Sequence, residues 1–135
     1  MLILLLIIPA VTAIGFTQST AVEGILMCEE KPASGVLVKL FEHDKLTPDE
    51  LMDSAKTDDD GKFHLSGTAD EISSIEPKLV IFHDCNDFLK PCQRKLTVFI
   101  PSAYVQKTKQ PGKPFNFGVL QLAGKFEGEE RDCLH

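Results

Sequence analysis

Four cysteines, four histidines and one run of three aspartates are the residues of this 135-residue chain whose chemistry could go beyond packing. His83-Asp84-Cys85, with Cys92 and the terminal Cys133-x-His135, can be drawn as a zinc site. The spacing is against it: structural zinc sites set paired cysteines about two to four residues apart, whereas Cys85 and Cys92 are seven positions apart. Asp58-Asp59-Asp60-Gly61 offers the hard oxygens that calcium prefers. Counting from Asp58, however, the fifth position is Lys62 and the twelfth Ala69, so the bidentate Glu that closes an EF-hand loop is missing. The same residues suit a tight turn ahead of a strand. No metal and no cofactor are expected.

What the cysteines do depends on where the chain resides. Residues 1–13, MLILLLIIPAVTA, are an almost unbroken apolar run ending small-x-small at Val11, Thr12 and Ala13, the pattern of a secretory signal peptide. Its cut is placed after Ala13, or a little later, after Gly15. About twelve apolar residues are too few to cross a hydrocarbon core that needs about twenty. Removal leaves a mature domain of residues 14–135 in an oxidising compartment, where an even number of cysteines reads as disulfides. Cys28, Cys85, Cys92 and Cys133 permit three pairings, and the sequence does not choose among them. Cys85 and Cys92 flank the short connector NDFLKP between two strand-like runs, so Cys85–Cys92 is the preferred pair and Cys28–Cys133 follows by elimination. An oxidised sulfur cannot act as a nucleophile, which removes Cys–His catalysis.

The elements that must carry these residues are short. From Val22 onward, β-rich runs at 22–28, 36–43, 51–57, 62–67, 78–84, 95–101 and 115–122 alternate with Gly, Pro, Asp and Asn, and no long helical period intervenes. In the run at 36–43, Val36, Val38 and Leu40 share one face and Leu37, Lys39 and Phe41 the other. Seven such runs suit an all-β, immunoglobulin-type sandwich of seven to eight strands. Thr47-Pro48-Asp49-Glu50 and Thr68-Ala69-Asp70-Glu71 read as Thr-x-x-Glu capping boxes, each opening a helical turn or two. The tail after Lys125 is polar and is expected to be mobile unless Cys133 ties it down.

A net charge of −6 offers nothing to phosphates and argues against nucleic-acid binding. Against that background Lys107, Lys109 and Lys113 form one small basic loop able to approach anionic lipid head groups, each lysine contributing about 1 kcal/mol near such a surface. Phe88, Leu89 and Lys90, between Cys85 and Cys92, form a candidate interaction loop with an apolar tip.

Several features together resemble one family. Gly24 and Cys28 in the first strand, Thr57 through Gly61 ahead of Phe63, the triplet His83-Asp84-Cys85, and Ile100-Pro101 with Tyr104 are similar to the transthyretin-like family of secreted nematode proteins, over about Val22 to Cys133. The resemblance implies the transthyretin (prealbumin-like) fold, two antiparallel sheets in a sandwich with a short helix or turn, an extracellular location, and no established catalysis. Some members are linked to extracellular recognition, including that of phosphatidylserine. The expectation is therefore a secreted binding protein, monomer or homodimer, whose partner is an extracellular protein or a lipid head group met peripherally. The alternative is a small-ring hydrolase of the 5-hydroxyisourate type. Those enzymes keep a set of His and Arg residues and end in Tyr-Arg-Gly-Ser. This chain ends Asp-Cys-Leu-His, has only Arg94 and Arg131, and places His43, His64, His83 and His135 in unlike contexts.

Overall fold

Alternation along the β-rich runs decides which side chains meet. In the computed structural model, which describes residues 15–44, 47–88 and 90–135, Val38, Leu40 and Glu42 of β3 (Leu37–Glu42) are buried while Leu37, Lys39 and Phe41 are half-covered on the other face. The other strands are β1 (Phe16–Cys28), β2 (Lys31–Pro32), β4 (Glu50–Lys56), β5 (Lys62–Glu71), β6 (Pro77–His83), β7 (Gln93–Phe99), β8 (Phe115–Gln121) and β9 (Glu130–Asp132). One sheet is built on β1, flanked by β2, β5 and β8; the other runs β4-β3-β6-β7-β9. Their inner faces close on Val22, Leu26, Leu40, Leu65, Leu79 and Ile81, all fully buried, the apolar burial that drives such a sandwich. This is the transthyretin-like β-sandwich.

All seven expected strands are present, with four differences. The resemblance implies antiparallel sheets, but β1 and β8 run parallel, pairing Val22 with Phe115 and Leu26 with Leu120. β1 starts six residues earlier than expected, and its added segment takes Ala69, Asp70 and Glu71 as antiparallel partners. The helix start expected at Thr68–Glu71 is therefore the end of β5: pairing along a long strand outweighs a local capping pattern. Among the described residues of the Thr47–Glu50 stretch there is likewise no helical turn, and Glu50 opens β4. The one helical turn among the described residues is a 3-10 turn at Ser102–Tyr104. The tail is held, the outcome expected where Cys133 ties it down. β9 pairs with β7, and the His135 ring stacks on Phe82 with centroids 4.2 Å apart.

Two glycines of the family-like pattern have physical reasons. A Cβ on Gly24 would lie 2.6 Å from the Phe117 ring, so a side chain there excludes Phe117. Gly61 has φ +76°, the left-handed region that favours glycine. It closes a turn in which Asp58 Oδ1 accepts the backbone N–H of Asp60 and of Lys62, each at 2.9 Å. The expected turn at Asp60-Gly61 is present, and Asp58 holds it together with its side chain.

The disulfides correct the sequence reading. Cys28 pairs with Cys85 and Cys92 with Cys133, in place of Cys85–Cys92 and Cys28–Cys133. Cys85, just past β6, is buried and reaches inward across the sandwich to the end of β1. Cys92 lies outside that core and meets the tail brought alongside β7 by β9. One bridge joins the two sheets and the other fastens the C-terminal segment. The segment at residues 1–13 lies outside the described residues; no helix among the described residues is long and apolar enough to cross a membrane.

Non-reducing peptide mapping should recover Cys28 linked to Cys85 and Cys92 linked to Cys133; a Cys85–Cys92 peptide would refute this arrangement. Replacing Cys28 and Cys85 together by alanine should cost about 2 to 5 kcal/mol in urea unfolding.

Candidate functional site: a fastened loop beside a cleft

The β6–β7 connection leaves the sandwich after the His83–Arg94 pair. Within it Asn86, Phe88 and Cys92 take positive φ values of 52°, 52° and 68°. Non-glycine residues held in that region each cost of the order of 1 kcal/mol, so surrounding bonds must hold them there. Those bonds are present. Arg131 pairs with the buried Asp87 and donates to Cys92 O at 3.0 Å. Gln93 Nε2 donates to Asp84 Oδ2 at 2.8 Å, and Asn86 Nδ2 donates to Glu29 Oε1 at 3.0 Å. With a disulfide at each end, the loop is fastened at many points. Its tip is not: Phe88 is 86% exposed and Lys90 is exposed beside it. Leu89, expected with them, lies outside the described residues.

Beneath the loop is a buried polar core. The Arg94 guanidinium, 5% exposed, donates Nη1 to Cys85 O at 2.8 Å and to Leu122 O at 3.0 Å, Nη2 to Gly124 O at 2.5 Å, and Nε to Glu129 Oε1 at 2.6 Å. His83 accepts the Cys85 N–H at Nδ1, 3.1 Å. Burial, then the Arg94 charge, lowers its pKa to about 4, so the ring is neutral at physiological pH. Next to this end an open cleft of about 940 Å³ runs between the loop and the β1–β2 turn, with Glu29, Lys31, Asp84 and Gln93 on its walls.

The remaining expected site residues are scattered. His43 bonds Asp49 at 3.1 Å near the opposite end, His64 meets Glu23 at 3.2 Å on β5, and His135 lies on the outer face of β6. The His and Arg convergence that hydrolysis requires is thus confined to His83 and Arg94, whose groups are buried and, for Arg94, spent on backbone carbonyls and Glu129. All four cysteines are in disulfides, which leaves no thiolate for zinc or for nucleophilic attack. Lys107 sits over the Phe16 ring at 5.4 Å, by the start of β1 and away from Phe88, so the basic loop and the apolar tip do not form one patch.

One cluster escaped the sequence reading. One carboxylate oxygen from each of Glu42, Glu50 and Glu71 lies within 4.8 Å of the others. Burial first, then Glu71 and the other carboxylates, pushes the Glu42 pKa up to about 8. The available signal was the alternation of β3, which carries Val38 and Leu40 inward and must carry Glu42 with them.

A family model described as "TTR-52: Transthyretin-like family" matches residues 23–101. Transthyretin-like protein 5 of Caenorhabditis elegans is 51% identical over 135 residues, spanning 99% of this chain and 97% of its own length. Transthyretin-like protein 2 of the same organism is 49% identical over 128 residues, spanning 90% and 86%. The solved structure of a 9R-lipoxygenase from Cyanothece overlays on 78% of this chain and 16% of its own, at a TM-score of 0.45 and 18% identity.

Replacing Arg94 by alanine strands Glu129 and three carbonyls, and should cost about 3 to 5 kcal/mol by urea unfolding. For His83, the unfolded chain takes up its proton near pH 6.5 and the folded one only near pH 4. Its contribution to stability is therefore fully present above pH 6.5 and is lost as pH falls towards 4, with a slope of at most about 1.4 kcal/mol per pH unit. His83→Gln should lack that part of the slope; parallel stability curves for the two proteins across this window would exclude it.

Proposed function

The chain belongs to the transthyretin-like family, and from that premise we propose that it is a secreted, non-enzymatic binding protein that engages an extracellular protein partner through loop 84–92. The observation that carries this is Phe88, 86% exposed on a loop whose neighbours are fastened by two disulfides and by Arg94 and Arg131. An apolar aromatic carried on a fastened backbone has met part of the ordering cost of binding, and such anchors dominate protein interfaces. The cleft beside it offers polar groups of both signs for a rim. Export is supported by the apolar leader at residues 1–13 and by the paired cysteines.

A protein partner fits this surface better than an anionic membrane. Glu29, Glu30 and Asp84 border the cleft, where they would meet lipid phosphate with like charge, and the lysines at 107, 109 and 113 are not beside Phe88. No observation favours hydrolysis of a ring substrate, because every nitrogen of the buried Arg94 guanidinium already donates to a carbonyl or to Glu129.

The test is capture of extracellular proteins by immobilised wild-type and Phe88→Ser protein. The variant should lose its specific partner by about tenfold or more in affinity, with its melting temperature unchanged. Equal capture by both proteins, or retention on phosphatidylserine vesicles in place of protein, would overturn the assignment of this loop.

A further inference from the structure

The sandwich end opposite the fastened loop gathers three acidic side chains that no described cation pairs with. β3 ends on Glu42 and β4 begins on Glu50; a register shift between Leu40 and Phe41 sets the two directly across from each other. Like charges in facing positions are destabilising. Glu71, the last residue of β5, brings a third carboxylate from the other sheet. Glu42 is 5% exposed, and its Oε2 is buried without a hydrogen-bond partner. Among the described residues no lysine, arginine or histidine pairs with any of the three. His43, just past β3, and Lys78 of β6 are both engaged by Asp49. A cavity of about 380 Å³ opens onto Glu42 and Glu71 and is also bordered by Asp44 and Glu76.

We propose that Glu42, Glu50 and Glu71 form a binding site for a hard divalent cation of the calcium class. A buried carboxylate oxygen with no donor is a costly arrangement unless a cation is its partner. The dimensions agree. Calcium holds its oxygens at about 2.3 to 2.6 Å, so ligands on opposite sides of the ion are about 5 Å apart at most, and the three oxygens here lie within 4.8 Å of one another. Three carboxylates supply up to six oxygens, and the adjoining cavity has room for water to complete the shell. Softer metals that seek sulfur or imidazole find neither in this set. The ion would tie β3 and β4 of one sheet to β5 of the other. The site is independent of loop 84–92 and does not rest on the function proposed for it.

The experiment uses the disulfide-intact protein, stripped with chelator and followed by scanning calorimetry and titration calorimetry with calcium chloride. One saturable site per chain is expected, with a dissociation constant of about 0.1 to 1 mM, the range of extracellular calcium modules, and a melting temperature that rises with calcium but not with sodium chloride of equal ionic strength. Glu50→Gln, at an exposed position, and Glu71→Gln should each weaken binding by about tenfold or more, while the exposed Glu127→Gln leaves it unchanged. Glu42→Gln, which removes the buried ligand oxygen, should no longer respond to the ion. Absence of saturable binding, an equal shift with sodium chloride, or an undiminished calcium response in Glu50→Gln and Glu71→Gln would each overturn the proposal.

Discussion

A guanidinium cannot be left dry and unpaired, and much of one end of this molecule is arranged around that requirement at Arg94. Burying the charge is costly unless every donor has a partner, and the partners come from the β6–β7 loop, from the end of β8 and from the segment after it. Those pieces are far apart in sequence, so satisfying one side chain fixes where three segments lie. His83 is the neighbouring consequence. Pressed against a permanent positive charge in a buried site, its imidazole is kept neutral and can accept the Cys85 N–H. The disulfide from Cys85 to Cys28 then starts from a backbone already positioned by Arg94 and His83.

Rigid support below permits an unsupported tip above. Three residues of loop 84–92 hold positive φ without being glycine, a conformation that a freely moving loop would abandon. They persist because the flanking Cys85 and Cys92 carbonyls accept from Arg94 and Arg131 and the Asp84 carboxylate accepts from Gln93. The outcome is an aromatic side chain displayed to solvent at low entropic cost, which suits recognition. The same economy works against catalysis at this end. Groups that would have to move protons or hold a developing charge are instead consumed in holding the fold together, and a general base needs an accessible, titrating nitrogen that His83 does not present.

The sequence made the sandwich legible because strands such as β3, and the first halves of β5 and β7, obey a two-residue period and turn residues separate the runs. What it concealed is non-local. Thr68–Glu71 satisfies a capping pattern, but the strand Phe16–Ser19 that claims it lies about fifty residues away, and the polar letters of Gln18, Ser19 and Thr20 disguise that strand. Two of them bind other loops: Gln18 holds Ser73 O and the Ile75 N–H, and Thr20 donates to Tyr104 O at 2.9 Å. The disulfide pairing failed for a related reason. Proximity in sequence favoured Cys85 with Cys92, whereas their positions relative to the core sent one across the sandwich and the other to the tail. In the candidate interaction loop, Phe88 and Lys90 are exposed, but the fastening of that loop by Arg131 and Asp87 was not legible in the sequence.

The two ends of the sandwich therefore solve the same physical problem unequally. At the Arg94 end the buried charges are matched, cation to carboxylate, and the sheets are joined covalently by Cys28–Cys85. At the Glu42 end the strands of both sheets terminate in carboxylates, and the polar bonding that remains goes to loops, as Gln18 shows. A sandwich joined covalently only at one end depends at the other on how its facing acidic side chains are neutralised. Either Glu42 stays protonated, which its raised pKa allows, or a cation takes the proton's place. The first choice holds the end closed only while Glu42 keeps its proton, a hold that weakens as pH rises from about 4.5 towards 8; the second makes it responsive to the ionic composition of the surrounding fluid. The alternation that built β3 thus delivers, in its last inward residue, a group whose charge state sets how tightly that end of the fold is held.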